Sequence, residues 1–154
     1  MAPPILLGSQ ATGTFDLAAQ RGKTVLLYFQ EGLMCQPCWD QIEDIEGNLD
    51  EFRALGINQI VSITTDPAEL LQQKRAADGI KTPVYSDPDL SVSRSYSTNM
   101  YGMMGESRNG HSFILVGPNG RIQWRADYGG APDYTMFLPA ANLVADIRRG
   151  LGKE

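Results

Sequence analysis

Cys35 and Cys38 are the only cysteines of this 154-residue chain, three apart in Tyr28-Phe29-Gln30-Glu31-Gly32-Leu33-Met34-Cys35-Gln36-Pro37-Cys38-Trp39. Near a helix N-terminus this spacing puts both thiols on the same side of the first turn, within reach of a disulfide. Unpaired backbone N–H groups and the helix dipole favour a thiolate there, drawing the thiol pKa from about 8.5 toward roughly 3.5–7.5. The chemistry that follows is thiol–disulfide exchange. Cys35, expected to be the more exposed, attacks, and Cys38 resolves the mixed disulfide. Pro37 stiffens the intervening pair and suits a first helical turn. A structural bridge would close too short a loop to stabilise much. Zinc needs four ligands, and two cysteines with the single histidine, His111, fall short unless a dimer completes the set. A c-type haem site would need histidine where Trp39 stands.

The elements around this pair must hold it at a strand-to-helix junction. Thr24 to Phe29 is a continuous apolar run, suited to a central parallel strand covered on both faces. Trp39, Ile42, Ile45, Leu49, Phe52 and Leu55 form one helical stripe, with Asp40, Glu43, Asp44, Glu46 and Asp50 outside it and Gly47 marking a bend. Residues 57–64 read as the next strand. Asp66-Pro67-Ala68-Glu69 predicts a helix start with Asp66 as N-cap and Glu69 in a capping box, and Gly79 predicts its end. Strand, helix, strand, helix is a βαβ pattern with a parallel pair and a right-handed crossover. Pro83 to Ser86 is a brief extended piece, and Asp87-Pro88-Asp89 starts a short helix to about Tyr96. The two runs flanking Gly117-Pro118-Asn119-Gly120 predict an antiparallel hairpin. A helix to Arg149 closes the chain, and residues 8–13 and 99–110 read as irregular.

Composition narrows the class. A chain of this length is expected to be one domain, residues 1–154, able to bury its own core without a staple or a metal. The net charge is −5 and no basic stripe exists to meet phosphate, so nucleic acid is excluded as an expected partner. No apolar run is long enough to span a membrane. The compartment stays open between cytoplasm and an extracytoplasmic soluble domain of an anchored protein, since CxxC pairs occur in both settings.

Arg21-Gly22-Lys23, the apolar strand, the CxxC, the long helix, the strand ending near Asp66 and the hairpin from Phe113 to Gly120 together resemble the thioredoxin-like redoxins. These are the peroxiredoxin (AhpC/TSA) and TlpA/ResA groups. Ser86-Asp87-Pro88-Asp89 followed by Tyr96 is similar to the corresponding peroxiredoxin segment, and Gly117 to Ile122 is similar to the redoxin hairpin. The resemblance spans about Asp16 to Arg149. It implies an α/β thioredoxin-like fold, a central mixed sheet flanked by helices, with the CxxC at the N-terminus of the first long helix. It also implies a thiol–disulfide oxidoreductase working with a protein dithiol or disulfide partner, and with peroxide as an alternative substrate.

Two departures bear on the choice of substrate. If Cys38 is aligned with the peroxidatic cysteine, Glu31 replaces the peroxiredoxin loop proline and Cys35 replaces its threonine, while His111 or its neighbour falls where a downstream arginine would be. Two donors that polarise peroxide are then missing. On the thioredoxin side, Gly110-His111-Ser112 occupies the place of the cis-proline. The alternative assignment is a peroxidase with Cys38 peroxidatic and Cys35 resolving. His111-Ser112 ahead of a strand and Pro-x-Gly turn also resembles the Sco-type copper chaperones, which implies a Cu(I) module built from Cys35, Cys38 and His111. The expected catalytic set is Cys35 and Cys38, with His111 facing them as imidazolium, base or ligand and Glu31 as a candidate for proton transfer, the competing reading of Glu31 being an exposed loop glutamate without a role. No cofactor or resident metal is called for. Met34, Met100, Met103, Met104 and Met136 are expected to fill core or loop gaps, and Gln41 to serve structure.

Overall fold

A computed structural model describes residues 1–9, 13–102 and 105–153. Its strands are β1 (Leu6–Ser9), β2 (Gly13–Asp16), β3 (Val25–Phe29), β4 (Gln59–Thr64), β5 (Val84–Ser86), β6 (Ser112–Val116) and β7 (Ile122–Asp127). Its helices are α1 (Gln36–Glu46), α2 (Leu49–Ala54), α3 (Ala68–Asp78), α4 (Ser91–Ser95) and α5 (Ala140–Gly150). The strands form one sheet in the order β2-β1-β5-β4-β3-β6-β7. β3 lies inside it, parallel to β4 and antiparallel to β6. The βα connections supply the parallel pairs β3–β4 and β4–β5, and the Gly117–Gly120 turn supplies the antiparallel β6–β7 hairpin, so the sheet is mixed.

Every residue of β3 is buried. Because side chains alternate across a strand, its apolar run serves two cores at once. Leu26 and Tyr28 join Trp39, Ile42 and Ile45 of α1 with Leu143, Val144 and Ile147 of α5. Val25, Leu27 and Phe29 join Phe15, Val61, Ile63 and Tyr96 on the opposite face. The cysteines belong to the first cluster, so the helix that carries them is anchored by its apolar stripe.

Four sequence expectations change. The stretch read as irregular from residue 8 begins inside β1, which pairs antiparallel with both β2 and β5. The single long helix is two, because the chain breaks at Gly47-Asn48, where the Gly47 amide turns back to Glu43 and the Asn48 side chain binds the Asp44 carbonyl. The expected helix from Asp87 contracts to α4, since the Asp87 carboxylate stays outside and receives the Val92 and Ser93 amides. Asp66 does not cap α3: Pro67 holds the N-cap position without a side-chain bond, and the Asp66 carboxylate turns to the dithiol loop. Gly79 does end α3, at φ +67°.

Candidate dithiol site

The strand-to-helix junction is built around Gly32. At φ +109° it adopts a conformation that L side chains rarely take, and a Cβ there would overlap the Asp66 carboxylate and the Thr64 hydroxyl. The backbone then turns tightly, with the Cys35 amide donating to the Gly32 carbonyl and the Trp39 indole N–H donating to the same oxygen at 3.0 Å. Asp66 holds the loop from the end of β4. One carboxylate oxygen accepts from the Leu33 amide at 2.7 Å, and the other accepts from Arg108 at 3.1 Å. Arg108 Nη1 also donates to the Glu31 carbonyl at 2.9 Å. A partly buried ion pair therefore clamps the segment entering the cysteines.

Cys35 takes the N-cap position of α1, and Cys38 lies in the first turn. The two are joined as a disulfide, with Cα atoms 5.3 Å apart. Cys35 retains 7% exposure and Cys38 none, so Cys35 is the cysteine nearer the surface. Met34 beside it is 74% exposed, unlike a gap-filling residue. Met100 is also exposed, Met136 packs against the core, and Met103 and Met104 lie outside the described residues.

His111 is fully buried directly before β6, with Nδ1 3.9 Å from Cys38 Sγ and 3.2 Å from the Tyr28 hydroxyl. The Tyr28 hydroxyl donates to the Cys38 carbonyl at 2.9 Å, and its ring stacks on Phe113. Burial lowers the His111 pKa to about 3, so the imidazole is neutral near pH 7. Burial also holds the Tyr28 hydroxyl protonated well above its ordinary range, with the charge of Glu31 adding to the effect. The imidazolium reading of His111 gives way to a neutral ring for this reason. Glu31 is 4% exposed, which corrects the expected exposed loop glutamate. Its carbonyl is tied to Arg108, and its side chain faces the interior rather than solvent.

The sequence model of the AhpC/TSA family matches residues 1–125. The chain belongs to the AhpC/TSA family. A Mycobacterium tuberculosis protein named "Putative peroxiredoxin Rv2521" is 32% identical over 97% of this chain and 91% of its own length. "Peroxiredoxin Bcp" of Escherichia coli is 26% identical over 80% of each chain. Among solved structures, Peroxidoxin BcpB of M. tuberculosis superposes with TM-score 0.75 at 16% identity, covering 96% of this chain and 94% of that one. A Chlorobium tepidum structure titled "putative Thiol:disulfide interchange protein DsbE" reaches 0.70 at 23% identity, covering 98% and 95%. The fold is thioredoxin-like, and the chain is an oxidoreductase of this family.

Within the AhpC/TSA framework, three of the four expected site residues converge: Cys35, Cys38 and His111. Glu31 lies on the same loop, and its backbone carbonyl accepts from Arg108. Sequence reasoning missed Tyr28, read only as part of an apolar strand, although it is the polar member of that run. It also missed Gln41, whose Oε1 lies 3.0 Å from His111 Nε2. The i, i+3 spacing from Cys38 put Gln41 on the dithiol side of α1 and was the available signal. The Asp66–Arg108 clamp had none, because it joins the end of one strand to a loop forty-two residues later. Among the described residues no three His, Cys, Asp or Glu side chains are grouped to hold a metal ion, and the two sulfurs of the copper set are joined to each other as a disulfide. No helix of the described residues is long and apolar enough to cross a membrane.

Proposed function

We propose that this protein reduces or forms disulfides in a protein partner through the Cys35–Cys38 couple, with Cys35 as the attacking thiol and Cys38 as the resolving one. The observation that carries the reading is the order of the two cysteines: Cys35 at the surface end, Cys38 fully covered. Exchange requires in-line approach of a partner sulfur, and only the outer thiol offers that approach. The N-cap position of an 11-residue helix supports a Cys35 thiolate in the reduced enzyme. The partner is a dithiol or disulfide of another protein, and nothing in the site calls for a cofactor. The whole described chain acts as one redoxin unit.

A second reading is favoured by the peroxiredoxin names of the sequence relatives. In it peroxide oxidises Cys38 to the sulfenic acid and Cys35 condenses with it. Against it stand the cover over Cys38 and the loop positions held by Glu31 and Cys35 in place of the peroxiredoxin proline and threonine. The two readings separate in one pair of assays. Exchange predicts that Cys35→Ser abolishes reduction of insulin disulfides, while peroxide oxidises the reduced wild type no faster than a free thiol. Unimpaired insulin reduction by Cys35→Ser would overturn the assignment, and fast oxidation by peroxide in stopped flow would install the peroxidase in its place.

A further inference from the structure

Gln41 is fully buried on α1, and both ends of its amide are committed to one residue. Its Nε2 donates to the Leu138 carbonyl at 2.8 Å and its Oε1 accepts from the Leu138 amide at 2.8 Å. This two-point pairing with a backbone fixes which end of the side chain is oxygen, because a flipped amide would face donor with donor and acceptor with acceptor. The oxygen so fixed also meets His111 Nε2 at 3.0 Å. An amide oxygen can only accept, so Nε2 must carry the ring proton. In a neutral imidazole that leaves Nδ1 bare, on the edge that faces Cys38 Sγ at 3.9 Å.

We propose that Gln41 is a positioning residue that locks His111 in the Nε2–H form, making Nδ1 the proton acceptor for the Cys38 thiol. The role rests on the exchange reading above. In the mixed disulfide on Cys35, the Cys38 S–H proton passes to His111 Nδ1 and the resulting thiolate attacks Cys35 Sγ. The Cys35–Cys38 bond forms, the bond from Cys35 to the partner sulfur breaks, and that sulfur leaves as a thiolate that takes a proton from water, while His111 gives its own proton back to water and returns to the neutral ring. Two electrons pass from the Cys35–Cys38 pair to the partner disulfide. Tyr28 prepares the site for the proton. Its hydroxyl donates to the Cys38 carbonyl at 2.9 Å, leaving its oxygen lone pairs toward Nδ1 at 3.2 Å to receive the new N–H. Leu138, outside the dithiol loop, thereby controls the protonation pattern beside the dithiol through a single glutamine.

The chain contains one histidine, so two-bond ¹H–¹⁵N correlation on uniformly labelled protein reports its tautomer without assignment ambiguity. The wild type at neutral pH is expected to show a pure Nε2–H ring with an unprotonated Nδ1, in the oxidised and reduced states alike. An Nδ1–H ring would overturn the proposal on the wild type alone, whatever the variants do. With Gln41→Met the remaining polar neighbour of the ring is Tyr28, so the ring should turn over to Nδ1–H. Resolution of a preformed mixed disulfide on Cys35 should slow about tenfold, less than the usual worth of a base whose pKa lies near the working pH, because burial keeps His111 a weak base. Gln41→Glu, which keeps an acceptor toward Nε2–H, should restore the tautomer. Slow resolution in Gln41→Met with the tautomer unchanged would reduce Gln41 to a packing role and contradict the proposal. A wild-type Nε2–H ring with no mixed disulfide ever captured on Cys35 would instead overturn the exchange reading and remove the Cys38 step, leaving the ring assignment intact.

Discussion

Two polar assemblies flank the cysteines, and they are built on opposite principles. Before Cys35, the Gly32 loop is clamped by ions, Asp66 and Arg108, with side chains 10% and 25% exposed. Behind Cys38, the Tyr28–His111–Gln41 cluster is fully covered and neutral near pH 7. A charge pair near solvent can hold a backbone because water still helps to carry its charges. A buried cluster next to a reacting sulfur gains from the reverse arrangement, since groups that start neutral leave a proton somewhere to go. The clamp holds the loop that enters the dithiol, and in the proposed exchange the neutral cluster governs how the inner thiol ionises.

The contrast breaks first at acid pH. His111 titrates near 6.5 in the unfolded chain and at about 3 in the folded one. Its folded-state pKa is depressed, so the contribution is complete above pH 6.5 and is lost as pH falls from there toward 3, while only the unfolded chain takes up the proton. The loss reaches up to about 5 kcal/mol at the acid end. Denaturant unfolding at pH 7, 5 and 4 should reveal this slope in the wild type, and His111→Phe should lack it. Parallel pH curves for the two proteins would mean that the buried ring is not held neutral.

Next in size is the loop. Gly32→Ala imposes a side chain at φ +109° against the Asp66 carboxylate and should cost about 2–4 kcal/mol, read as a fall in denaturation midpoint. Arg108→Ala removes the ion pair and the bond to the Glu31 carbonyl. A cost of about 1–2 kcal/mol is expected, with faster amide exchange at Leu33 and no change in the pH slope assigned to His111. Tyr28→Phe is the smallest change, about 1 kcal/mol for the lost bond to the Cys38 carbonyl, and it should leave the Gly32 loop undisturbed. If Arg108→Ala altered the acid slope, or Tyr28→Phe loosened the loop, the two assemblies would be one.

What the sequence made legible follows local pattern. The β3 run, the βαβ alternation, the Pro/Asn/Gly hairpin and the CxxC all state themselves within a few residues, and the family resemblance assembled them into the thioredoxin-like order. Features that depend on tertiary competition were not legible. Asp66 carries every local sign of an N-cap, yet the Leu33 amide and Arg108 outbid the helix for its carboxylate. The stripe from Trp39 to Leu55 has the period of one helix, but the Gly47-Asn48 step admits a break the period cannot register. Glu31 looked exposed because loops usually are, and here the loop folds inward beneath Arg108. Gln41 looked structural because a glutamine on a helix carries no chemistry until its amide orientation is fixed from outside.

In the proposed exchange, Cys35 is the thiol that meets the partner. Reduced Cys38→Ser, incubated with insulin or another disulfide-bonded protein, should accumulate a mixed disulfide that mass spectrometry of the non-reduced digest maps to Cys35, while Cys35→Ser accumulates none. An adduct formed readily on Cys38 of the Cys35→Ser variant, and absent from Cys35 of the Cys38→Ser variant, would contradict the account.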